Sequence, residues 1–329
     1  MSRISKLLPV ALLTLTPSVK ALSAHQYDIV DLGPIDFVSE CTISLNEVGV
    51  VAGTSTDDFA FLWSAGVVER LRRLDPSGRS DACDVNDNGT VVGRSWVGGK
   101  PHAVVWHGGV VLDLGTFGGT DSTANGVNDN GHIVGHFGLS GGGTGEHAFL
   151  IGAEGFVDLG TLGGSRSTAN DINESGWIAG YSRTSSGPSH AVVWVDGVAQ
   201  DLGTLGAANL DSFAYAINDA GVVVGHSAIF SSNDRRAFMW SDGVMTELPN
   251  PAGSTFTIAY GINASGKIVG TGDDRALLWQ GDGVHDLNSA IDPLSGWSLE
   301  AATDIDNEGR IGGYGFLNGT FRGFLLVPR

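Results

Sequence analysis

The feature that most constrains this chain is an Asn-x-x-Gly-x-Val/Ile motif, preceded by Ile, Val or Leu, that returns every 40–45 residues. It stands at Asn46, Asn86, Asn128, Asn173, Asn218 and Asn263, with Asp306 in the seventh copy. A second motif, His/Arg-Ala-Phe/Val-Leu/Val-Trp in its fuller forms, follows each time, beginning at Ala60, His102, His147, His190, Arg236, Arg275 and Arg322. A third, built on Asp-Leu-Gly, ends at Gly115, Gly160 and Gly203, with looser versions at Leu71, Leu248 and Leu287. Three motifs in fixed order at this period are the mark of a repeat architecture.

The third motif follows the other two only six times. Its missing copy stands alone at the other end of the chain, as Tyr27-Asp28-Ile29-Val30-Asp31-Leu32-Gly33. A linear stack of repeats gains nothing from that permutation, whereas a ring gains a non-covalent closure. Each unit resolves into four short strands. Strand A ends at the Ile-Asn, strand B is the following Val/Ile run, strand C is the Ala-Val-Val-Trp segment, and strand D carries Asp-Leu. The expectation is an all-β chain folded as a seven-bladed β-propeller, with four-stranded blades of about 43 residues. Residues 28–32 are expected to pair with 323–326 and complete the last blade. Asn at the first turn position and Gly at the fourth suit a tight A–B hairpin. Strand C lacks polar alternation, as expected if blades stack face to face, and strand A has Ser, Thr and Ala, small enough for a channel rim.

Composition agrees. Fifty glycines in 329 residues and 16% charged residues exclude a helical bundle, and 42% hydrophobic content is enough for a core. A net charge of −18 argues against nucleic acid and against anionic membrane surfaces. Residues 1–24 read as an export signal: Arg3 and Lys6, an apolar stretch over 7–15, then small residues for cleavage near 21–24. Residues 25–329 then form one propeller domain, periplasmic or secreted, with no membrane span and expected as a monomer. Cys41 and Cys83 are too few for a stapled scaffold; an oxidising compartment permits a bond between them and their spacing does not require one.

The string Asp158-Leu159-Gly160-Thr161-Leu162-Gly163-Gly164-Ser165, the Ala169-x-x-Ile172-Asn173-x-x-Gly176 run and His147-Ala148-Phe149 resemble the HAF repeat family, over nearly all of residues 25–329. The full tripeptide stands only at His147. The resemblance implies an exported bacterial repeat protein and no particular reaction.

Several residue sets suggest chemistry. Asp84-x-Asn86-x-Asn88-Gly89 fits the first half of a calcium loop, making Asp84, Asn86 and Asn88 weak calcium candidates, but the closing Glu position is Ser95. Hairpin chemistry explains the same residues. His102, His147 and His190 share one repeat position with Arg236, Arg275 and Arg322, and Arg does not ligate metal. The strand D acids Asp31, Asp113, Asp158, Asp201, Glu247 and Asp286 read as loop caps rather than a catalytic ring. Trp63, Trp106, Trp194, Trp240 and Trp279 read as packing, leaving Trp96, Trp177 and Trp297 as surface candidates. No catalytic residues and no cofactor are expected. The preferred reading is a binding module for an extracytoplasmic glycan or protein; the alternative is an extracytoplasmic propeller enzyme, a glycan hydrolase or lyase. Irregular insertions fall on the B–C and D–A connections, and His136, His226, Phe230, Arg235 and Trp297 are the candidate ligand-binding residues there.

Overall fold

The computed structural model describes residues 25–36, 41–140, 145–230 and 234–329; the expected export segment lies outside the described residues. The described chain is all-β apart from one 3-10 turn, Leu287–Ala290. After β1 (Tyr27–Gly33) come β2 (Ser44–Leu45), β3 (Val51–Thr54), β4 (Ala60–Ser64) and β5 (Val67–Arg70), then β6 (Ser80–Val85), β7 (Val91–Val97), β8 (Lys100–His107) and β9 (Val110–Gly115). The third repeat holds β10 (Ser122–Val127), β11 (Ile133–Gly138), β12 (Glu146–Gly152) and β13 (Gly155–Gly160); the fourth, β14 (Gly163–Ile172), β15 (Ile178–Thr184), β16 (Ser189–Val195) and β17 (Val198–Gly203). Next are β18 (Ser212–Ile217), β19 (Val223–Ala228), β20 (Arg235–Ser241) and β21 (Val244–Glu247), then β22 (Thr257–Ile262), β23 (Ile268–Gly272), β24 (Ala276–Gln280) and β25 (Gly283–Asp286). The chain ends with β26 (Trp297–Ile305), β27 (Ile311–Leu317) and β28 (Thr320–Pro328).

Strands pair as antiparallel four-stranded meanders; the third and fourth repeats are joined into one longer sheet by a single parallel pairing of Glu146 with Arg166. The terminal sheet has the order β1-β28-β27-β26, with Ile29 opposite Leu326 and Asp31 opposite Phe324, as the permuted motif predicts.

The core lies between sheets. Ala52, Ala60 and Leu71 of one repeat pack with Val91, Val104 and Trp106 of the next, and comparable clusters follow along the chain. One of them joins Leu32 and Leu325 of the terminal sheet to Ile43, Val51 and Phe61 of the first repeat. Trp194 and Trp279 are fully buried, each worth about 2–3 kcal/mol as apolar area removed from water. Trp106 and Trp279 also donate from Nε1 to the carbonyls of Arg72 and Pro249 in the preceding repeat, at 2.6 and 2.7 Å.

The Asn-x-x-Gly turn does more than reverse the chain. In the fourth repeat Asn173 Oδ1 accepts from Trp177 N at 2.9 Å, and Gly176 takes φ = +80°, a region cheap only for glycine. Meanwhile Asn173 Nδ2 donates to the Asn218 carbonyl, 45 residues on, at 3.0 Å. The same bond runs from Asn46 to Asn86, Asn86 to Asn128, Asn128 to Asn173, Asn218 to Asn263 and Asn263 to Asp306. Asp306 has no amide to donate. Arg310 supplies the donor instead, bonding Asp306 and reaching the Glu47 carbonyl of the first repeat at 2.7 Å.

The second and third motifs explain each other. His102, His147 and His190 place Nδ1 2.9–3.0 Å from the carboxylates of Asp113, Asp158 and Asp201 on the neighbouring strand. Those carboxylates also cap their own turns, accepting from the N–H of Gly115, Gly160 and Gly203 at 2.7–2.8 Å. Later repeats use Arg236 with Glu247 and Arg322 with Asp31. The first repeat inverts the chemistry, setting the Arg70 guanidinium 4.5 Å from the Phe59 ring centroid.

Candidate binding site in the central cavity

The first strand of six of the seven repeats carries a β-bulge just before the Asn turn. In β6 the register shifts between Ala82 and Asp84, and β10, β14, β18, β22 and β26 repeat the shift. The bulge brings strand A against its neighbour so closely that only Gly fits opposite: a Cβ at Gly93 would sit on the Asp81 carbonyl oxygen, and one at Gly180 on that of Thr168. A bulge re-aims side chains. Here the extra residues are Cys83, Asn125, Asn170, Tyr215, Tyr260 and Thr303, and all of them line one cavity of about 480 Å³ to which every repeat contributes.

The cavity wall is not uniform around its circumference. Cys41 and Cys83 form a disulfide on one side, tying the first repeat to the second. Asn125 and Asn170, both on the wall, donate from Nδ2 to the carbonyls of Ala169 and Ala214, at 2.8 and 2.6 Å. Then comes an aromatic arc. Tyr181 meets Phe213 edge-on at 4.9 Å, and Tyr215 meets Tyr260 at 5.4 Å. Burial raises the phenol of Tyr215 to about 12 and that of Tyr260 still further, so both stay neutral.

Three carboxylates lie toward the Asn-turn end. Asp84 accepts from Ser44 Oγ at 2.7 Å and from Val127 N of the next repeat at 2.8 Å. Asp171 accepts from Ile172 N and Ile217 N at 2.7 and 2.8 Å, and Asp304 from Ile305 N and Leu45 N, both at 2.8 Å. Each therefore staples its repeat to the following one. Enclosure by protein pushes Asp171 and Asp304 up to about 7, helped by repulsion from Asp84 and held back by the donated N–H groups; Asp84 moves the same way.

The sequence candidates divide. His136 lies within β11 rather than opening a loop, and it lines the cavity with Asn125 Nδ2 at 3.4 Å from its Nδ1. His226 lies within β19, 4% exposed, stacked on Phe213 and Tyr215; burial, with Arg235 adding repulsion, pushes it down to about 3. It backs the aromatic arc as a neutral ring and is not itself on the cavity wall. Phe230 is 83% exposed. Arg235 begins β20 with its guanidinium 5.8 Å from the Phe256 ring centroid. Trp297 is a packed residue rather than a surface platform, edge-on to Phe324 at 6.0 Å and against the last core cluster. Trp177 likewise packs on the cluster between the fourth and fifth repeats. Trp96 faces the guanidinium of Arg94 at 5.0 Å.

Asp84, Asn86 and Asn88 do not converge. Asn86 spends Oδ1 on Thr90 N and Nδ2 on the Asn128 carbonyl, and Asn88 donates to the Asp129 carbonyl. Among the described residues no group of three His, Cys, Asp or Glu side chains is placed to hold a metal ion.

The expectation of small strand A residues at the rim fails at Phe213, Tyr215 and Tyr260. One sequence signal could have found them. Four residues before each repeat Asn stands Ala in six of seven copies, whereas three before it stand Ile43, Cys83, Asn125, Asn170, Tyr215, Tyr260 and Thr303. A position that varies this widely between uniform neighbours is free of the packing constraint.

No family model matches the chain, and no curated protein does. Among solved structures, the extracellular domain of BT4673 from B. thetaiotaomicron is similar over 92% of this chain and 40% of its own, with 12% identity and a TM-score of 0.58. A puromycin-hydrolysing peptidase from Mycobacterium tuberculosis is similar over 89% of this chain and 53% of its own, with 11% identity and a TM-score of 0.56. This chain thus spans about half the length of those proteins or less. Both are propeller-like structures, and at these identities the likeness bears on the fold alone. Among the described residues no helix is long and apolar enough to cross a membrane.

Proposed function

We propose that this chain is a seven-bladed β-propeller of the HAF repeat type, exported through residues 1–24, and that it acts as a binding module rather than an enzyme. Closure of the ring is supported by the β1–β28 pairing and by the cluster joining the terminal sheet to the first repeat. One observation carries the functional reading: the repeated acids and histidines, the residue types that serve catalysis, each make intramolecular bonds that hold the fold. Asp84, Asp171 and Asp304 each hold a main-chain N–H of the next repeat, and the strand D acids hold His or Arg and a turn N–H. General acid–base work needs such groups to reach a substrate proton.

The partner, an extracytoplasmic glycan or protein, engages the face built from the B–C and D–A connections. Strand parity puts the Asn-x-x-Gly turns on the other face, where the bonds between successive repeats occupy the main chain. Glu146, at the start of its strand C, and Phe213, near the start of its strand A, place one end of the cavity on the proposed face. A glycan and peptide array run beside a hydrolase screen on the purified protein tests this reading. Saturable binding that Phe230→Ala weakens without changing the melting temperature is expected; turnover lost on replacing Asp171 or Asp304 would refute it. Trp297 is unsuitable for this test, because its packing on Phe324 makes Trp297→Ala a stability variant.

A further inference from the structure

The cavity is chemically one-sided. Its described wall has four carboxylates, Asp84, Glu146, Asp171 and Asp304, and no Lys or Arg. Asn125 and Asn170 also line it, each with one amide N–H spent on a main-chain carbonyl. Thr168, only 4% exposed, also lines the cavity. Beside these acceptors on the wall is the arc of Tyr181, Phe213, Tyr215 and Tyr260, whose rings attract cations once water is excluded. Arg235, whose charge acts on Tyr215 and Tyr260, is not on the wall.

We propose that the cavity binds an organic cation, an alkylammonium or guanidinium group, with the charge against the carboxylates and the carbon chain along the rings. The volume of about 480 Å³ lies in the range of small-molecule sites. An anion would meet four carboxylates without a compensating cation on the wall. A neutral sugar would find acceptors in excess and gain nothing from the carboxylate charge. The same chemistry can be brought by a free polyamine or by a Lys or Arg side chain of a partner. The inference deepens the binding reading and rests on it.

Binding should depend on pH. The titratable groups on the wall are Asp84 of β6, His136 of β11, Glu146 of β12, Asp171 of β14 and Asp304 of β26, with the phenols of Tyr181, Tyr215 and Tyr260; His226 and Arg235 stand behind. Raising the pH from 6 to 8 deprotonates Asp171 and Asp304, which sit at about 7, and adds negative charge where the cation binds.

Calorimetric titration of the purified protein with spermidine, and separately with a capped tri-lysine peptide, tests the proposal. At least one should bind saturably at one site, several-fold tighter at pH 8 than at pH 6. The Glu146→Gln and Tyr260→Leu variants should each weaken binding roughly tenfold. Spermidine alone binding identifies a free polyamine as the source, and the peptide alone identifies a partner's side chain. Binding left unchanged by both variants would mean adsorption to the acidic exterior and would overturn the proposal. So would the absence of saturable binding by either amine at pH 8. A neutral glycan found on the array under those conditions would leave the binding reading standing without the cation.

Discussion

Arg322 Nε donates to Asp31 Oδ1 at 2.7 Å across 291 residues of chain, and it does so from the repeat positions that His147 and Asp158 occupy within one repeat, 11 residues apart. The pair is the local strand C to strand D contact, made here between the two ends of the described chain. β1 therefore stands to the terminal sheet as β13 stands to the third repeat, and the bond between first and last strands is one of pairing and packing rather than covalent continuity.

Removing residues 26–33 should leave β28 as an open, apolar edge, uncover Phe324 and Leu326, and cause aggregation. Size-exclusion chromatography with light scattering reads the outcome. Asp31→Ala alone should be mild, about 1 kcal/mol, because the pair is partly exposed and the strand remains. A soluble deletion variant melting like the parent would mean that β1 does not close the structure.

The asparagine belt should be sensitive at any single link. Asn218→Ala removes one of two donors to the Asn263 carbonyl, which keeps Gly266 N, and the acceptor for Val222 N, leaving that N–H unpaired, at a cost of about 2 kcal/mol. Urea denaturation gives the difference. The seventh repeat shows how an acid can serve at this position, with Arg310 four residues on. Asn218→Asp combined with Val222→Arg should therefore be more stable than Asn218→Asp alone.

Asp171 makes the folded protein's proton affinity visible. Folded, it holds its proton up to about pH 7; unfolded, only to about 3.9. Between those values the folded state binds more protons, so this contribution is complete below pH 4 and is lost as pH rises through 7. Asp171→Asn removes the pH-dependent part. Relative to the parent, its stability should improve from pH 5 to pH 8, by about 1–2 kcal/mol with screening by channel water allowed for. His226, pushed down to about 3, acts with opposite sign between pH 3 and its unfolded value of about 6.5. The readout is accordingly the difference between variant and parent in melting scans across pH; a flat difference would contradict the burial of Asp171.

Reduction should weaken the junction of the first two repeats. The Cys41–Cys83 bond spans 42 residues and constrains the unfolded chain by up to about 4 kcal/mol. Cys41→Ser with Cys83→Ser should lower the melting temperature and abolish its response to reductant. Retained sensitivity in the double variant would assign the effect to something else.

The sequence by itself determined the repeat unit, its four strands, the turn chemistry at Asn and Gly, and the pairing of residues 28–32 with the last strand, because each is written locally and copied. Periodicity also assigned the strand C tryptophans to packing. The roles of Asn173 Nδ2, Asp171 and Tyr215 were decided only by tertiary structure. Each depends on what the neighbouring repeat presents, and on a bulge that turns an extra strand A residue inward. Trp297 and His226 differ from their sequence reading for the same reason: an aromatic or a histidine outside the repeat pattern is exposed or enclosed according to the adjacent sheet, whose distance no single-strand pattern encodes. The cavity is the clearest case. Its wall is assembled from residues more than 250 positions apart, Thr42 and Asp304 among them, so its charge and aromatic arc exist only once the repeats are stacked.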